Sequence, residues 1–129
     1  MTTELTLLAW TIVLAFVYIM AFDMVRTRQS GGKWNMGARD ATMPPLSPVA
    51  ERLQRAQANL FETLPLFIAA VLIAKAAGIS TPRTVLGAEL YFWGRLIYLP
   101  LYAFGVPVVR SIVWLASIAG LAMIVFALL

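Results

Sequence analysis

Four apolar stretches, each about 20 residues long, occupy most of this chain of 129 residues. A helix rises about 1.5 Å per residue, so each stretch is long enough to cross a hydrocarbon layer about 30 Å thick. The chain is 61% hydrophobic and only 12% charged, which is more apolar surface than a soluble domain of this length can bury. We therefore predict an all-α integral membrane protein, a four-helix transmembrane bundle with up-and-down topology.

Proline and glycine mark where the four helices begin and end. We expect helices at about residues 5–25, 48–77, 82–104 and 107–128 of a single domain that covers residues 1–129. The first stretch could also be a signal peptide. No basic residue precedes its apolar run, so we interpret it as a membrane-spanning helix.

The basic residues indicate the orientation in the membrane. Those that flank or lie in the first and third loops are Arg26, Arg28, Lys33, Arg39, Arg52, Arg55 and Arg110, whereas only Lys75 and Arg83 flank the second loop. The positive-inside rule then places the first and third loops in the cytoplasm and both termini outside. Because orientation accounts for the net charge of +4, we expect no nucleic acid partner.

Cysteine and histidine are both absent from the sequence. Their absence excludes disulfides, catalysis by a protein thiol and the usual ligands of zinc, copper and haem. We therefore expect no metal cofactor.

A polar stripe runs along the start of the second helix. Arg52, Arg55, Asn59 and Glu62 follow the spacing i, i+3, i+7 and i+10, so they share one helix face. Counting about 20 residues back from Gly78 places Asn59 and Glu62 just inside the cytoplasmic boundary. The other helices bring further polar residues to this depth: Asp23, Arg26, Arg95, Tyr98, Tyr102, Arg110 and Ser111. Polar groups from four helices at one level predict a shared cavity that opens to the cytoplasm.

Structural explanations remain open for several of these residues. Tyr98 and Tyr102 could belong to an aromatic belt at the membrane interface, and the stripe could be a network of interhelical hydrogen bonds. Arg95 is either a ligand residue or one half of a structural ion pair, with Glu62 or Asp23 as its partner. Glu89 lies about two turns into the third helix from the outer side, and its role is left open.

Residues 55–67 read RAQANLFETLPLF. This run resembles the hallmark R-A-x-x-N-x-x-E-x-x-P-x-F of the MAPEG family, the membrane-associated proteins in eicosanoid and glutathione metabolism. The Arg95-Leu96-Ile97-Tyr98 segment, Tyr102 and the Arg110-Ser111 pair are similar to further family motifs. The resemblance covers nearly the whole chain, which is similar to bacterial-type members in the inner membrane.

The resemblance implies a homotrimer of four-helix subunits that binds glutathione as cosubstrate between adjacent subunits, near the cytoplasmic face. The family's catalytic arginine, which stabilises the glutathione thiolate, corresponds to Arg110. The glutathione-binding positions correspond to Arg55, Asn59, Glu62, Tyr98 and Tyr102, with Gln57 and Arg26 as further matches to individual branches of the family.

The chemistry of glutathione agrees with these residue types. Its two carboxylates need cations such as Arg55, Arg26 or Arg95, and its ammonium group needs a carboxylate such as Glu62. We expect a glutathione transferase or peroxidase that acts on a lipophilic small molecule or lipid. A noncatalytic lipid- or glutathione-binding scaffold is the alternative. A small multidrug exporter ranks last, because the first helix is uncharged from Leu5 to Phe22.

Overall fold

A computed structural model describes residues 1–31, 37 and 45–129 of the chain. The helices are α1 (Thr3–Ser30), α2 (Pro48–Ala76), α3 (Pro82–Ala103) and α4 (Pro107–Leu128). The predicted all-helical, four-helix architecture is confirmed. Lys33 and Arg39, which entered the topology prediction, lie outside the described residues.

Side-chain caps set the starts of α2 and α3. The hydroxyl oxygen of Ser47 accepts a hydrogen bond of 3.2 Å from the backbone N–H of Ala50, immediately before the proline that opens α2. Thr81 and Thr84 form a reciprocal capping box at the start of α3, with hydrogen bonds of 2.8 and 3.2 Å. Local sequence thus determines both starts.

The ends of the helices are less regular. α1 continues to Ser30, beyond the expected range of 5–25, because the apolar stretch marks the membrane-embedded part of the helix rather than its end. The short connections after α2 and α3 contain Gly78 with φ 69° and Gly105 with φ 71°. These left-handed conformations favour glycine, so the two turns depend on it.

Three of the four helices, α1, α2 and α4, are long and apolar enough to cross a membrane. α3 has 22 residues, the same number as α4, but is not among them. The prediction of four apolar spans is therefore right for three helices by length and composition. α3 carries Glu89 and Arg95 along with several aromatic residues, which lower its hydropathy. The chain is an integral membrane protein.

Like α2, α3 contacts each of the other helices. Its closest neighbour is α4, and glycines make that approach possible. A Cβ atom on Gly120 would lie 2.5 Å from the backbone oxygen of Gly87, and a Cβ atom on Gly94 would lie 3.0 Å from the Cβ atom of Ser117. Small residues let the two backbones come together, as in other helix pairs in membranes. We call Gly87, Gly94, Ser117 and Gly120 the glycine seam.

Large side chains separate into an interior and an exterior set. Tyr18, Leu60, Phe67 and Tyr91 are fully buried, and the rings of Phe67 and Tyr91 stack with centroids 4.1 Å apart. Many apolar side chains instead face outward, among them Trp10, Phe16, Leu66, Ile112, Leu115 and Phe126. An apolar exterior of this extent suits a surface that contacts lipid or other subunits.

Glu4 ties the N-terminus of α1 to the start of α3, at the end of the bundle opposite the α3–α4 turn. The residue is only 3% exposed. Its carboxylate accepts hydrogen bonds from the hydroxyl of Thr84 at 2.7 Å and from that of Ser80 at 2.9 and 3.2 Å. Bonds to a charged acceptor are stronger than neutral ones, so this contact stabilises the junction of the two helices.

Glu4→Gln should lower the free energy of unfolding by about 1 kcal/mol, because the amide keeps one acceptor oxygen and replaces the other with a donor. Thermal unfolding of the detergent-solubilised protein, followed by circular dichroism, measures the effect. Glu51→Gln is the matched control, since its carboxylate is exposed and lies 4.0 Å from Arg55 in a weak pair. Equal midpoints for the two variants would contradict this role of Glu4.

Candidate functional site

Side chains from α2, α3 and α4 line a cavity of about 270 Å³ near the α3–α4 turn. The lining residues are Asn59, Tyr98, Tyr102, Arg110, Ser111 and Trp114. Four of them were predicted as site residues from the sequence. The structure therefore brings Asn59, Tyr98, Tyr102 and Arg110 together around one hollow.

Tyr102 lies between two arginines. The guanidinium carbon of Arg110 is 4.5 Å from the centre of the Tyr102 ring, within cation–π range. The Nε–H of Arg55 also donates a hydrogen bond of 3.1 Å to the Tyr102 hydroxyl. Tyr98 packs edge-on against Tyr102, with ring centroids 5.4 Å apart. Arg55 thus contacts the cavity wall without lining the cavity itself.

The position of Arg110 follows from the start of α4. Pro107 opens this helix, so Arg110 lies in its first turn. The free N–H groups and the dipole of a helix N-terminus favour negative charge there. A bound anion at this point would receive both the guanidinium charge and the dipole.

Arg95 is fully buried between α2 and α3. Its two terminal nitrogens donate hydrogen bonds to Asn59 Oδ1 at 2.6 Å and to Thr63 Oγ1 at 3.0 Å. The guanidinium carbon lies 5.6 and 5.2 Å from the ring centres of Tyr91 and Tyr98. Arg95 therefore lies behind the cavity wall, where it holds the Asn59 side chain.

The ion pair considered for Arg95 is not formed with the part of the chain that the structure describes. Asp23 lies 3.0 Å from Arg26 instead, and the side chain of Glu62 is exposed. The side chain of Arg95 points into the bundle, so neutral oxygens rather than carboxylates surround it.

Three further predicted residues do not line this cavity. Glu62 makes no hydrogen bond or ion pair within the described ranges. Gln57 lies two positions from Asn59, which on a helix is nearly the opposite side, and its buried Oε1 has no hydrogen-bond partner among the described residues. Arg26 on α1 pairs with Asp23 and lies 5.1 Å from the Phe22 ring centre.

Three residues around Arg95 were not predicted as site residues from the sequence. The Tyr18 hydroxyl donates a hydrogen bond of 2.5 Å to the backbone oxygen of Arg95. Thr63 and Tyr91 share a hydrogen bond of 2.8 Å between their hydroxyls. Helical spacing could have indicated two of them, because Thr63 follows Asn59 by four residues and Tyr91 precedes Arg95 by four, which places each pair on one helix face. Tyr18 stands alone in an apolar run, and no spacing pointed to it.

Comparison with known proteins adds to this geometry. A search of the curated proteins finds no match to the chain. A family model, that of the MAPEG family, matches residues 7–129, which is nearly the whole sequence. With its helical membrane fold and a cavity lined by residues of the hallmark motif, the chain belongs to the MAPEG family of membrane-associated proteins in eicosanoid and glutathione metabolism.

Proposed function

We propose that this chain is a membrane-embedded glutathione transferase or peroxidase in which Arg110 stabilises the glutathione thiolate for attack on a lipophilic electrophile. One observation carries the proposal: Asn59, Tyr98, Tyr102 and Arg110, from three helices, line a single cavity. The described lining offers a guanidinium and several hydrogen-bond donors but no carboxylate. Such a wall suits an anionic group.

The thiolate needs help to form at neutral pH. A free thiol has a pKa of about 8.5, so most of it is protonated under these conditions. A guanidinium nearby favours the charged form by Coulomb attraction and hydrogen bonding. We assign this role to Arg110, and the phenol groups of Tyr98 and Tyr102, which line the same cavity, supply further donors.

The rest of the tripeptide extends beyond the cavity in this proposal. Arg55, hydrogen-bonded to Tyr102 at the cavity wall, binds a glutathione carboxylate, and Glu62 on the same side of α2 binds the ammonium group. In a homotrimer with glutathione between adjacent subunits, Arg26 and Gln57 act from the neighbouring subunit. In that arrangement both residues contact the glutathione of an adjacent subunit, although they lie away from the cavity of their own subunit.

Two reactions are within reach of such a thiolate. In the transferase reaction the thiol proton passes to water, the sulfur forms a bond to an electrophilic carbon, and a leaving group departs with its electron pair. In the peroxidase reaction the thiolate attacks a peroxide oxygen, which gives an alcohol and glutathione sulfenic acid. A second glutathione then reduces the sulfenic acid to water and the disulfide.

The distribution of basic residues supports a cytoplasmic site with both termini outside, and the resemblance to bacterial-type members supports an inner membrane. Glutathione would then enter from the cytoplasm. The acceptor would reach the cavity from the bilayer, along the apolar outer face of α4 around Ile112 and Leu115.

The purified wild-type protein in detergent should bind glutathione by calorimetry and conjugate it to chlorodinitrobenzene with saturation in glutathione. Absorbance of the thioether product measures transfer, and loss of cumene hydroperoxide measures peroxidase activity. Binding without turnover on a panel of electrophiles and peroxides would contradict catalysis and favour the scaffold function. No binding, together with proton-coupled dye efflux from proteoliposomes, would favour an exporter.

A further inference from the structure

Arg95 is a buried cation without a carboxylate partner in the described structure. It is fully buried, and its hydrogen-bond acceptors are the neutral oxygens of Asn59 and Thr63. Its Nε has no hydrogen-bond partner among the described residues. A charge held this way is costly, because taking it out of water is repaid only in part by neutral acceptors. An apolar side chain of similar volume would be a cheaper way to fill the space.

The contact with Arg95 determines how Asn59 presents itself to the cavity. A guanidinium has donors and no acceptor, so the atom that faces it must be the amide oxygen of Asn59. The oxygen is engaged at 2.6 Å. Because Asn59 also lines the cavity, the amide NH₂ group is the part that remains available to a ligand.

The charge of Arg95 also reaches the cavity wall. Its guanidinium carbon is 5.2 Å from the centre of the Tyr98 ring, and Tyr98 lines the cavity. No carboxylate within the described ranges comes within 4.0 Å of this guanidinium to neutralise it. In the low-dielectric interior its field adds to that of Arg110.

We propose that Arg95 is a positioning residue of the glutathione site, which turns the Asn59 NH₂ group toward the ligand and supplies uncompensated positive charge that favours an anionic sulfur. This inference rests on the proposed function. Arg95 acts through Asn59 and through its field and does not touch the ligand.

Two glutathione derivatives separate this role from simple support of the fold. Glutathione sulfonate carries a permanent negative charge at the sulfur position, whereas S-methylglutathione is neutral there. Calorimetry on the detergent-purified protein gives the affinity for each. Arg95→Met, which keeps the volume and removes the charge, should weaken sulfonate binding about tenfold and S-methylglutathione binding less than about threefold. Arg95→Lys should recover part of the preference, because it retains the charge but not the two-pronged contact.

A second pair of variants covers the case in which Arg95→Met does not fold. Thr63→Val removes one of the two acceptors that fix the Arg95 guanidinium, so the guanidinium can turn away from Asn59, and Thr63→Ser keeps the hydroxyl as the matched control. Thr63→Val should weaken sulfonate binding more than S-methylglutathione binding, and Thr63→Ser should match the wild type. The thiolate absorbance of bound glutathione should also appear at higher pH in Thr63→Val.

The outcomes distinguish this inference from the function on which it rests. If the wild type binds neither derivative, the proposed function fails and the inference fails with it. If the wild type binds both derivatives but Arg95→Met loses affinity for both equally, Arg95 is only structural and the inference is overturned. If Arg95→Met is unfolded, an unchanged ratio of sulfonate affinity to S-methylglutathione affinity in Thr63→Val overturns the inference as well.

Discussion

Arg110→Ala should lower kcat for the conjugation of glutathione to chlorodinitrobenzene by about 100-fold or more, the usual loss when one preorganised donor to a developing or bound anion is removed. The guanidinium of Arg110 lies over the Tyr102 ring at the cavity wall, in the first turn of α4. Without it the cavity loses the one cation that lines it among the described residues, and the thiol stays protonated. Steady-state kinetics with both substrates varied, together with thiolate absorbance, measure the loss.

Two controls make this result specific. Arg83→Ala removes an exposed arginine at the opposite end of α3 and should leave kcat unchanged. Arg110→Lys should recover part of the rate, because the ammonium group supplies charge without the planar donor fork. Full activity in Arg110→Ala would remove Arg110 from the mechanism and leave Tyr98 and Tyr102 as the remaining candidates for thiolate stabilisation.

Gly120→Ala should destabilise the bundle by about 2–3 kcal/mol, because the new methyl group has no room in the glycine seam. Its Cβ atom would lie 2.5 Å from the Gly87 oxygen, 2.7 Å from Leu90 Cβ and 3.0 Å from the Tyr91 nitrogen. Two of these atoms belong to the backbone, so α3 and α4 must move apart. Thermal unfolding in detergent, with and without glutathione, measures the effect.

The loss should extend to the site, since Tyr98 and Tyr102 lie on α3 while Arg110 lies on α4. A shift between the two helices changes the width of the cavity that these residues line. Ala119→Val is the matched control: it adds two carbons at an exposed neighbouring position and should change the midpoint little. A Gly120→Ala protein as stable as the wild type would contradict this prediction, because α3 and α4 could then move apart at the glycine seam without loss of stability.

Much of the site could be predicted because helical periodicity and membrane depth are local properties. The spacing of Tyr98 and Tyr102 places both on one face of α3, and distance from the helix ends brings Asn59 and Arg110 to their level. The structure brings these residues to one cavity. The caps formed by Ser47 and Thr81 are local features too, since a cap depends only on neighbours in the chain.

What could not be predicted depends on how the helices rotate and pack against one another. The partner of Arg95 was sought among carboxylates, yet packing turned it toward Asn59 and Thr63. The close approach of α3 and α4 rests on Gly87 facing Gly120, a pairing across more than thirty positions of sequence that no local pattern contains. For Gln57 the helical period already separated it from Asn59, and only the resemblance had grouped the two.

The polarity of α3 has a consequence for how the protein enters its membrane. Unlike its three neighbours, this segment is not among the helices that are long and apolar enough to cross a membrane. Its Arg95 is shielded by α2, and its backbone at that point is bonded to Tyr18 of α1. The neighbouring helices thus surround the charged face of α3, while Trp93, Leu96 and Ile97 on its other face are exposed. Its Arg95 is thus kept out of contact with lipid by the helices packed around it, so the position of α3 in the bilayer depends on its neighbours.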